Sequence, residues 1–178
     1  MSLETPRLRL DPWSDGHADL LARLSSIPAV TRHIGSGLTW SEVKAQAVAA
    51  AAREHWREHG FGWRAAVEKA TGRPVGFIAL AFAGEGTPGL HRFEYEIGWW
   101  LDPRAWGRGL AREGALAVRA EAFGRVGAPS VVARIQPENA ASIRVAESIG
   151  LALAFSTTGR TGEPISVYRL ESMALQLP

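Results

Sequence analysis

One segment of the chain, residues 93–126, reads as a strand, a glycine-containing turn and a helix, and it constrains the fold more than any other. Its first nine residues, Phe93 to Leu101, are rich in aromatic side chains and predict a strand. Asp102-Pro103 ends that strand, because proline has no N–H to donate to the ladder. A turn with Gly107 and Gly109 follows, and apolar residues then recur at helical spacing as far as Val126.

The start of that helix is a predicted anion site. The first backbone N–H groups of a helix have no intrahelical partner, and the helix dipole adds partial positive charge at the same end. Glycine allows a backbone to approach a ligand closely. Arg104, Arg108 and Arg112 surround the same turn. We therefore expect this turn to hold a phosphate group.

Length and composition limit what the rest of the chain can be. The 178 residues predict a single domain, residues 1–178, long enough to bury a hydrophobic core. No apolar run approaches the length of a membrane span, and the N-terminus lacks the pattern of a signal peptide. Cysteine is absent, which excludes disulfides, thiolate metal ligands and a cysteine nucleophile within this chain. We expect a cytoplasmic protein without a membrane partner.

The charge of the chain argues against nucleic acid as a partner. The net charge is +2, and apart from Lys44 and Lys69 the basic residues are arginines scattered along the sequence. Nucleic-acid binding usually needs basic clusters with aromatic residues between them. The segment from Arg104 to Arg112 is the one basic cluster in the sequence, so we expect no nucleic-acid partner.

The remaining segments predict a mixed αβ (α+β) fold. Strands alternate with helices in the order β-α-α-β-β-β-α-β-α-β-β, which gives one twisted mixed sheet of about seven strands flanked by about four helices. Ser41 is a good N-cap for the second helix, and Gly60 is placed to end it. The predicted strands cover residues 5–10, 62–67, 74–82, 93–101, 130–135, 151–158 and 165–170.

Two other phosphate-binding turns fit the sequence poorly. A Walker loop needs Lys and then Ser or Thr after its second glycine, and Leu110 stands there instead. A dinucleotide fingerprint needs a third glycine where Arg112 stands, and an acid at the end of the next strand. That strand, Val131 to Gln136, contains no acid.

The segment Leu101 to Ala111 resembles motif A of the GNAT N-acyltransferase superfamily, which binds acyl-CoA. The motif is an apolar residue, x-Pro, and later Gln/Arg-x-x-Gly-x-Gly/Ala. Gly109 and Ala111 match it, whereas Trp106 occupies the Gln/Arg position. That departure is common in the RimJ/RimL-like branch, named for ribosomal-protein N-terminal acetyltransferases. Other segments also resemble this branch. They are residues 4–10, residues 96–101 and the pattern Pro-x-Asn-x-x-Ser-x-x-Val-x-Glu-x-x-Gly over residues 137–150.

The resemblance implies the GNAT acyl-CoA N-acyltransferase fold, in which strands 4 and 5 splay apart. It also implies an acetyl-CoA-dependent N-acetyltransferase, a monomer or homodimer that moves the acetyl group directly to the primary amine of a protein N-terminus or a small molecule. The alternative is a catalytically impaired CoA-binding or regulatory module. That alternative stays open because the tyrosine that many GNAT members use as an acid corresponds to Ala146.

The resemblance also implies which residues bind acetyl-CoA. The pyrophosphate would lie on the turn formed by Trp106, Gly107, Arg108, Gly109, Leu110, Ala111 and Arg112. The pantetheine arm would lie along the backbone of Trp99, Trp100 and Leu101, and would be contacted by Asn139 and Ser142. The arginines have a plain alternative as solvated surface charges, and Asn139 has one as a helix N-cap.

Glu96 and Ser142 are the predicted catalytic residues. The amine arrives largely protonated, so a base must remove a proton, directly or through water. Glu96 lies on the predicted fourth strand and shares a face with Glu94, two residues away. Its alternative is an ion pair with Arg92 or Arg134. The resemblance implies that Ser142 hydrogen-bonds the thioester sulfur, and its alternative is an ordinary serine at a helix start.

A zinc site is the last alternative. Residues 55–59 spell H-x-x-E-H, and two histidines four residues apart share one face of a helix. However, Gly60 ends that helix at once, and the sequence offers no obvious third ligand. We therefore expect no metal cofactor.

Overall fold

The computed structural model describes residues 1–172, which form one mixed sheet with helices on both faces. The strands are β1 Leu3–Glu4, β2 Leu8–Pro12, β3 Arg64–Glu68, β4 Arg73–Phe82, β5 Tyr95–Leu101, β6 Ser130–Ile135, β7 Ala152–Thr158 and β8 Pro164–Glu171. The α-helices are α1 Ala18–Ser25, α2 Pro28–Thr31, α3 Glu42–His59, α4 Leu110–Glu121 and α5 Ala140–Ser148. Short 3-10 turns occupy Asp15–His17 and Pro103–Ala105, and a π-turn, Ala122–Val126, extends α4.

The sheet has the strand order β1-β2-β3-β4-β5-β6-β8-β7 and is antiparallel except between β5 and β6. The predicted mixed sheet with flanking helices is confirmed, with eight strands instead of about seven. The additional strand is β1, which lies just before the strand predicted over residues 5–10, and β2 begins only at Leu8. Thr5 N–H donates to Leu8 O at 2.9 Å, so the chain turns there and pairs Leu3 with Leu10.

Local signals set the ends of α3. Ser41 Oγ accepts the N–H of Lys44 at 3.2 Å, and Gly60 ends the helix with φ 69°. The segment between α1 and α3 contains α2, which has Pro28 in its first turn. Proline is tolerated there because the N–H it lacks would have no helical partner.

Each face of the sheet packs against its own pair of helices. Neighbouring residues of a strand point to opposite faces, and Ile78 accordingly packs with Val118 of α4, whereas Phe77 packs with Leu21 of α1. Helices α4 and α5 cover the first face, and α1 and α3 cover the second. Among residues 1–172, no helix is both long and apolar enough to cross a lipid bilayer.

A buried ion pair joins β3 to the end of α4. Arg64 donates to Glu121 at 2.5 and 2.7 Å, and each side chain is 2% exposed. Burial by itself would raise the pKa of Glu121, but hydrogen bonds from Arg64 and Arg125 outweigh it and the pKa is lowered. The carboxylate is therefore held in its charged form inside the protein.

Strands β5 and β6 separate soon after they meet. They pair only at Tyr95↔Val131 and Glu96↔Val132. Beyond that point β5 remains with β4, and β6 remains with β8, to the ends of both strands. We call the gap between residues 97–101 and residues 133–135 the fork. Because the two strands are parallel, the turn that follows β5 and the helix that follows β6 both lie at its open end.

Candidate functional site

The turn between β5 and α4 has a backbone shape that glycine favours. Asp102 Oδ1 accepts the N–H of Arg104 at 3.0 Å and starts the short 3-10 turn after β5. Gly107 then has φ 71°, and Gly109, the N-cap of α4, has φ 74°. L-residues rarely adopt this left-handed region, because Cβ comes too close to the following carbonyl oxygen.

The amides of this turn are free to bind a ligand. Within residues 1–172, no backbone N–H from Gly107 to Arg112 donates to a protein acceptor. Residues 107–109 are exposed to solvent, and α4 directs the positive end of its dipole toward them. An array of unpaired N–H groups at a helix N-terminus is the usual protein site for a phosphate.

The N-terminal segment holds the turn in place. Arg7 Nη1 donates to the carbonyl oxygen of Arg108 at 2.7 Å, and Arg7 Nε donates to Glu113 of α4 at 2.6 Å. Thr5 Oγ1 donates to the same carboxylate at 2.6 Å. Partial burial would raise the pKa of Glu113, but the bonds from Thr5 and Arg7 lower it. Glu113 therefore stays charged and keeps Arg7 against the turn.

The three arginines of the turn differ in their surroundings. Arg108 binds Glu68 at the end of β3, and this hydrogen bond lowers the pKa of the Glu68 carboxyl. Arg104 and Arg112 are exposed, and neither forms an ion pair within the described part of the chain. Arg112 lies in the first turn of α4. Arg112 is thus the arginine best placed to meet a phosphate on the free amides.

One edge of β5 is unpaired along the fork. Asp102 N–H donates to Val75 O on the β4 side at 2.8 Å. In an antiparallel pair, alternate residues direct both peptide groups to the same neighbour. Trp100 therefore bonds toward β4, whereas Trp99 and Leu101 present their peptide groups to the fork. Of the three residues predicted to flank the pantetheine arm, Trp100 faces away from the gap.

Trp106 closes the end of this free edge. Its Nε1 donates to Leu101 O at 2.8 Å, while the residue as a whole is 47% exposed beside the glycine turn. The side chain at the family's Gln/Arg position thus bonds to the protein backbone here and links the end of β5 to the turn.

Asn139 and Ser142 lie at the opposite arm of the fork. Asn139 Oδ1 accepts the N–H of Ser142 at 3.1 Å and caps α5. Its Nδ2 group has no acceptor among residues 1–172 and remains free to donate. The capping role and a ligand-binding role are therefore compatible in one side chain. Ser142 Oγ accepts a hydrogen bond from Trp99 Nε1 at 3.2 Å.

Glu96 lies at the closed end of the fork, in an ion pair with Arg134. Two hydrogen bonds of 2.9 and 2.6 Å join them, and Arg134 Nη1 also donates to Thr87 Oγ1 at 2.7 Å. Burial would lower the pKa of Arg134, but the charge of Glu96 and its hydrogen bond raise it. Glu94 precedes β5 and pairs with Arg169 at 2.6 Å. The ion-pair alternative for Glu96 is thus present in the fold.

Sequence motifs did not single out two polar residues near the fork. Thr87 is 4% exposed and bonds Arg134, and Gln136, directly after β6, donates to Gly35 O at 3.0 Å. The second bond ties the loop before α3 to the fork. The available signal was weak: Gln136 ends an apolar strand just before the Pro-x-Asn pattern.

Two further expectations concern side chains outside the fork. Ala146, a residue of α5, is fully buried in the core. His55 bonds Phe61 O through Nδ1 at 2.9 Å, and its ring lies near that of His59. Within the described residues, no three metal-ligating side chains come together.

Comparison with known proteins identifies the family. A sequence profile of the acetyltransferase (GNAT) domain matches residues 7–152. The Aspergillus fumigatus protein named FsC-acetyl coenzyme A-N(2)-transacetylase is 30% identical over 159 residues, which cover 84% of this chain and 64% of that protein. The chain spans less than two thirds of the length of the curated relatives it matches.

Solved structures show the same fold. An acetyltransferase from Agrobacterium tumefaciens has a TM-score of 0.81 at 29% identity, covering 97% of this chain and 95% of that one. The ribosomal-protein acetyltransferase RimL, solved in complex with coenzyme A, has a TM-score of 0.76 at 16% identity, covering 98% and 99%. At that identity, the second likeness shows the fold alone. Because the domain match spans most of the sequence, the chain belongs to the GNAT acetyltransferase family.

Proposed function

We propose that this protein is an acetyl-CoA-dependent N-acetyltransferase of the RimJ/RimL-like branch, acting on a primary amine. The observation that carries the proposal is the fork, with unpaired amides from Gly107 to Arg112 at its open end. Membership of the GNAT family supports it. The named activity of the Aspergillus relative and the ribosomal-protein acetyltransferases among the structural neighbours support it further.

The residues around the fork suit the parts of acetyl-CoA. The free amides of the glycine turn would bind the pyrophosphate, with Arg112 adding charge. The unpaired edge of β5 at Trp99 would bind the amides of the pantetheine arm as an additional strand would. The free Nδ2 group of Asn139, across the fork, would donate to the arm.

The chemistry is direct transfer. The chain has no cysteine, so no cysteinyl intermediate forms. The amine nitrogen bonds to the thioester carbonyl carbon, the C–S bond breaks with its electron pair going to sulfur, and the amine loses a proton. We assign the proton to Glu96, reached directly or through water, because a carboxylate paired with Arg134 still has lone pairs to accept a hydrogen bond. Ser142 hydrogen-bonds the leaving sulfur.

The competing function is a CoA-binding module without catalysis. Two observations favour it: Glu96 is already engaged by Arg134, and the side chain at the position of the usual tyrosine acid is the buried Ala146. A module of this kind would keep the phosphate site and lack only turnover.

Two measurements on the intact protein separate these functions. Calorimetric titration with CoA tests the binding site, and thiol release from acetyl-CoA tests transfer to a panel of peptides with free N-termini, amino acids and polyamines. Each acceptor is paired with its N-acetylated form, which has no amine to accept the group. We expect CoA binding, together with thiol release that depends on a free amine. Binding without turnover for every amine favours the module, and absence of CoA binding refutes both functions.

A further inference from the structure

We infer that Trp99 is a positioning residue for Ser142. Its indole N–H binds the serine oxygen and leaves the hydroxyl hydrogen free to bond the sulfur that departs during acetyl transfer. The inference rests on the proposed function and deepens it, because it assigns a second residue to the stabilisation of the leaving group.

The direction of the hydrogen bond between Trp99 and Ser142 follows from chemistry. The Nε1–Oγ distance is 3.2 Å. An indole nitrogen only donates, whereas a serine hydroxyl both donates and accepts. Ser142 Oγ must therefore be the acceptor, and its own hydrogen must point elsewhere. Within residues 1–172, Ser142 Oγ donates to no protein acceptor.

Other helical serines of this protein behave differently. Ser148, on the same helix, donates its hydroxyl to Val145 O at 2.8 Å, and Ser25 donates to Ala22 O at 3.2 Å. A return bond of this kind to a preceding carbonyl is one way in which a helical serine uses its hydroxyl hydrogen. Ser142 departs from it while bonded to the tryptophan, so its hydroxyl hydrogen is not consumed by the helix.

The position of the pair places this free hydrogen at the reaction. Trp99 belongs to the unpaired edge of β5, and Ser142 lies in the first turn of α5, so their bond crosses the fork from one arm to the other. The N–H of Ser142 is bound by Asn139, which fixes the serine from its other side. A developing thiolate near this helix start also gains from the helix dipole.

The bond strengthens the donor as well as orienting it. A hydroxyl that accepts a hydrogen bond at oxygen becomes a better donor through its hydrogen, because bonds in a chain polarise one another. As the C–S bond breaks, its electron pair moves to sulfur, and the Ser142 O–H bonds that sulfur while the amine proton goes to the base. The interaction is stronger with the thiolate than with the thioester, so it favours the transition state.

The test is a double-mutant cycle in the intact enzyme. Trp99→Phe keeps an aromatic ring and removes the N–H, and Ser142→Ala removes the hydroxyl. We expect each variant to lower kcat by about tenfold, the size of one hydrogen bond, with the KM for acetyl-CoA unchanged. The double variant should be no slower than Ser142→Ala alone, because the tryptophan acts only through the serine.

Trp13→Phe is the matched control. Its indole N–H donates to Ala49 O at 3.1 Å in the core on the opposite face of the sheet. This variant should lose thermal stability and keep kcat. If Trp99→Phe fails to fold, β-(3-benzothienyl)alanine at position 99 removes the N–H while keeping the ring shape.

The outcomes distinguish this inference from the function on which it rests. An active wild type with a kcat that Trp99→Phe leaves unchanged overturns the inference alone. Multiplicative losses in the double variant do the same, because they make Trp99 independent of Ser142. A wild type that binds CoA and acetylates no amine overturns both proposals.

Discussion

Replacing Gly109 with alanine tests whether the glycine turn binds phosphate through its backbone. Gly109 has φ 74°, and a Cβ added there would have Arg7 Nη2 as its nearest neighbour, at 3.5 Å, an ordinary contact. The cost of the substitution is therefore conformational, about 1–2 kcal/mol for an L-residue in this region. The strained turn can relax by moving φ to negative values, which turns the amides of residues 109 and 110 away from a common ligand.

Gly60→Ala provides a control with the same backbone strain. Gly60 ends α3 with φ 69°, and nothing lies within 4 Å of an added Cβ. Both variants should lower the free energy of unfolding by similar amounts. For a domain of this size, each kcal/mol lowers Tm by about 2–4 °C. Their stabilities should therefore match, while their affinities for CoA should not.

Calorimetric titration with CoA measures the difference in affinity between the two variants, at a temperature well below both values of Tm. A hydrogen bond to a charged group contributes about 1.5–3 kcal/mol. Misdirecting even one such amide should weaken CoA binding by about tenfold or more. Gly60→Ala should bind CoA as the wild type does. Equal affinities for the two variants would refute the placement of the pyrophosphate on this turn.

Two further predictions concern carboxylates. Glu96→Gln should lower turnover by about 10²-fold or more with little change in CoA affinity, as loss of a general base does. The control Glu94→Gln should keep a turnover near that of the wild type. Steady-state kinetics measure both variants, and an unchanged kcat for Glu96→Gln would mean that another group is the base. The pKa of Glu121 is lowered from the ordinary glutamate value of 4.5, so its ion pair with Arg64 contributes its full stabilisation of the fold above pH 4.5. This stabilisation is lost as the pH falls through the lowered pKa. Urea unfolding at several pH values should show a shallower acid decline for Glu121→Gln, with a loss of about 3–5 kcal/mol near pH 7, and parallel declines would contradict the assignment.

Sequence signals predicted the features that neighbouring residues decide. The succession of an aromatic strand, Pro103 and two glycines predicted the strand, the turn and the helix start, because each depends on a few adjacent dihedral angles. Ser41 and Gly60 marked the ends of α3 for the same reason. The strand predicted over residues 5–10 was wrong at its start, because residues 5–7 form the turn between β1 and β2, and β2 begins at Leu8.

The sequence alone determined the fold class, the glycine turn and the family to which the chain belongs. Tertiary structure decided which side chains meet: Glu96 with Arg134, Arg108 with Glu68, and Trp99 with Ser142. These partners lie about 40 residues apart in the chain, so strand register and helix placement bring them together. Register also decided that the backbone of Trp99 faces the fork and that of Trp100 does not, because successive peptide groups of a strand point in opposite directions.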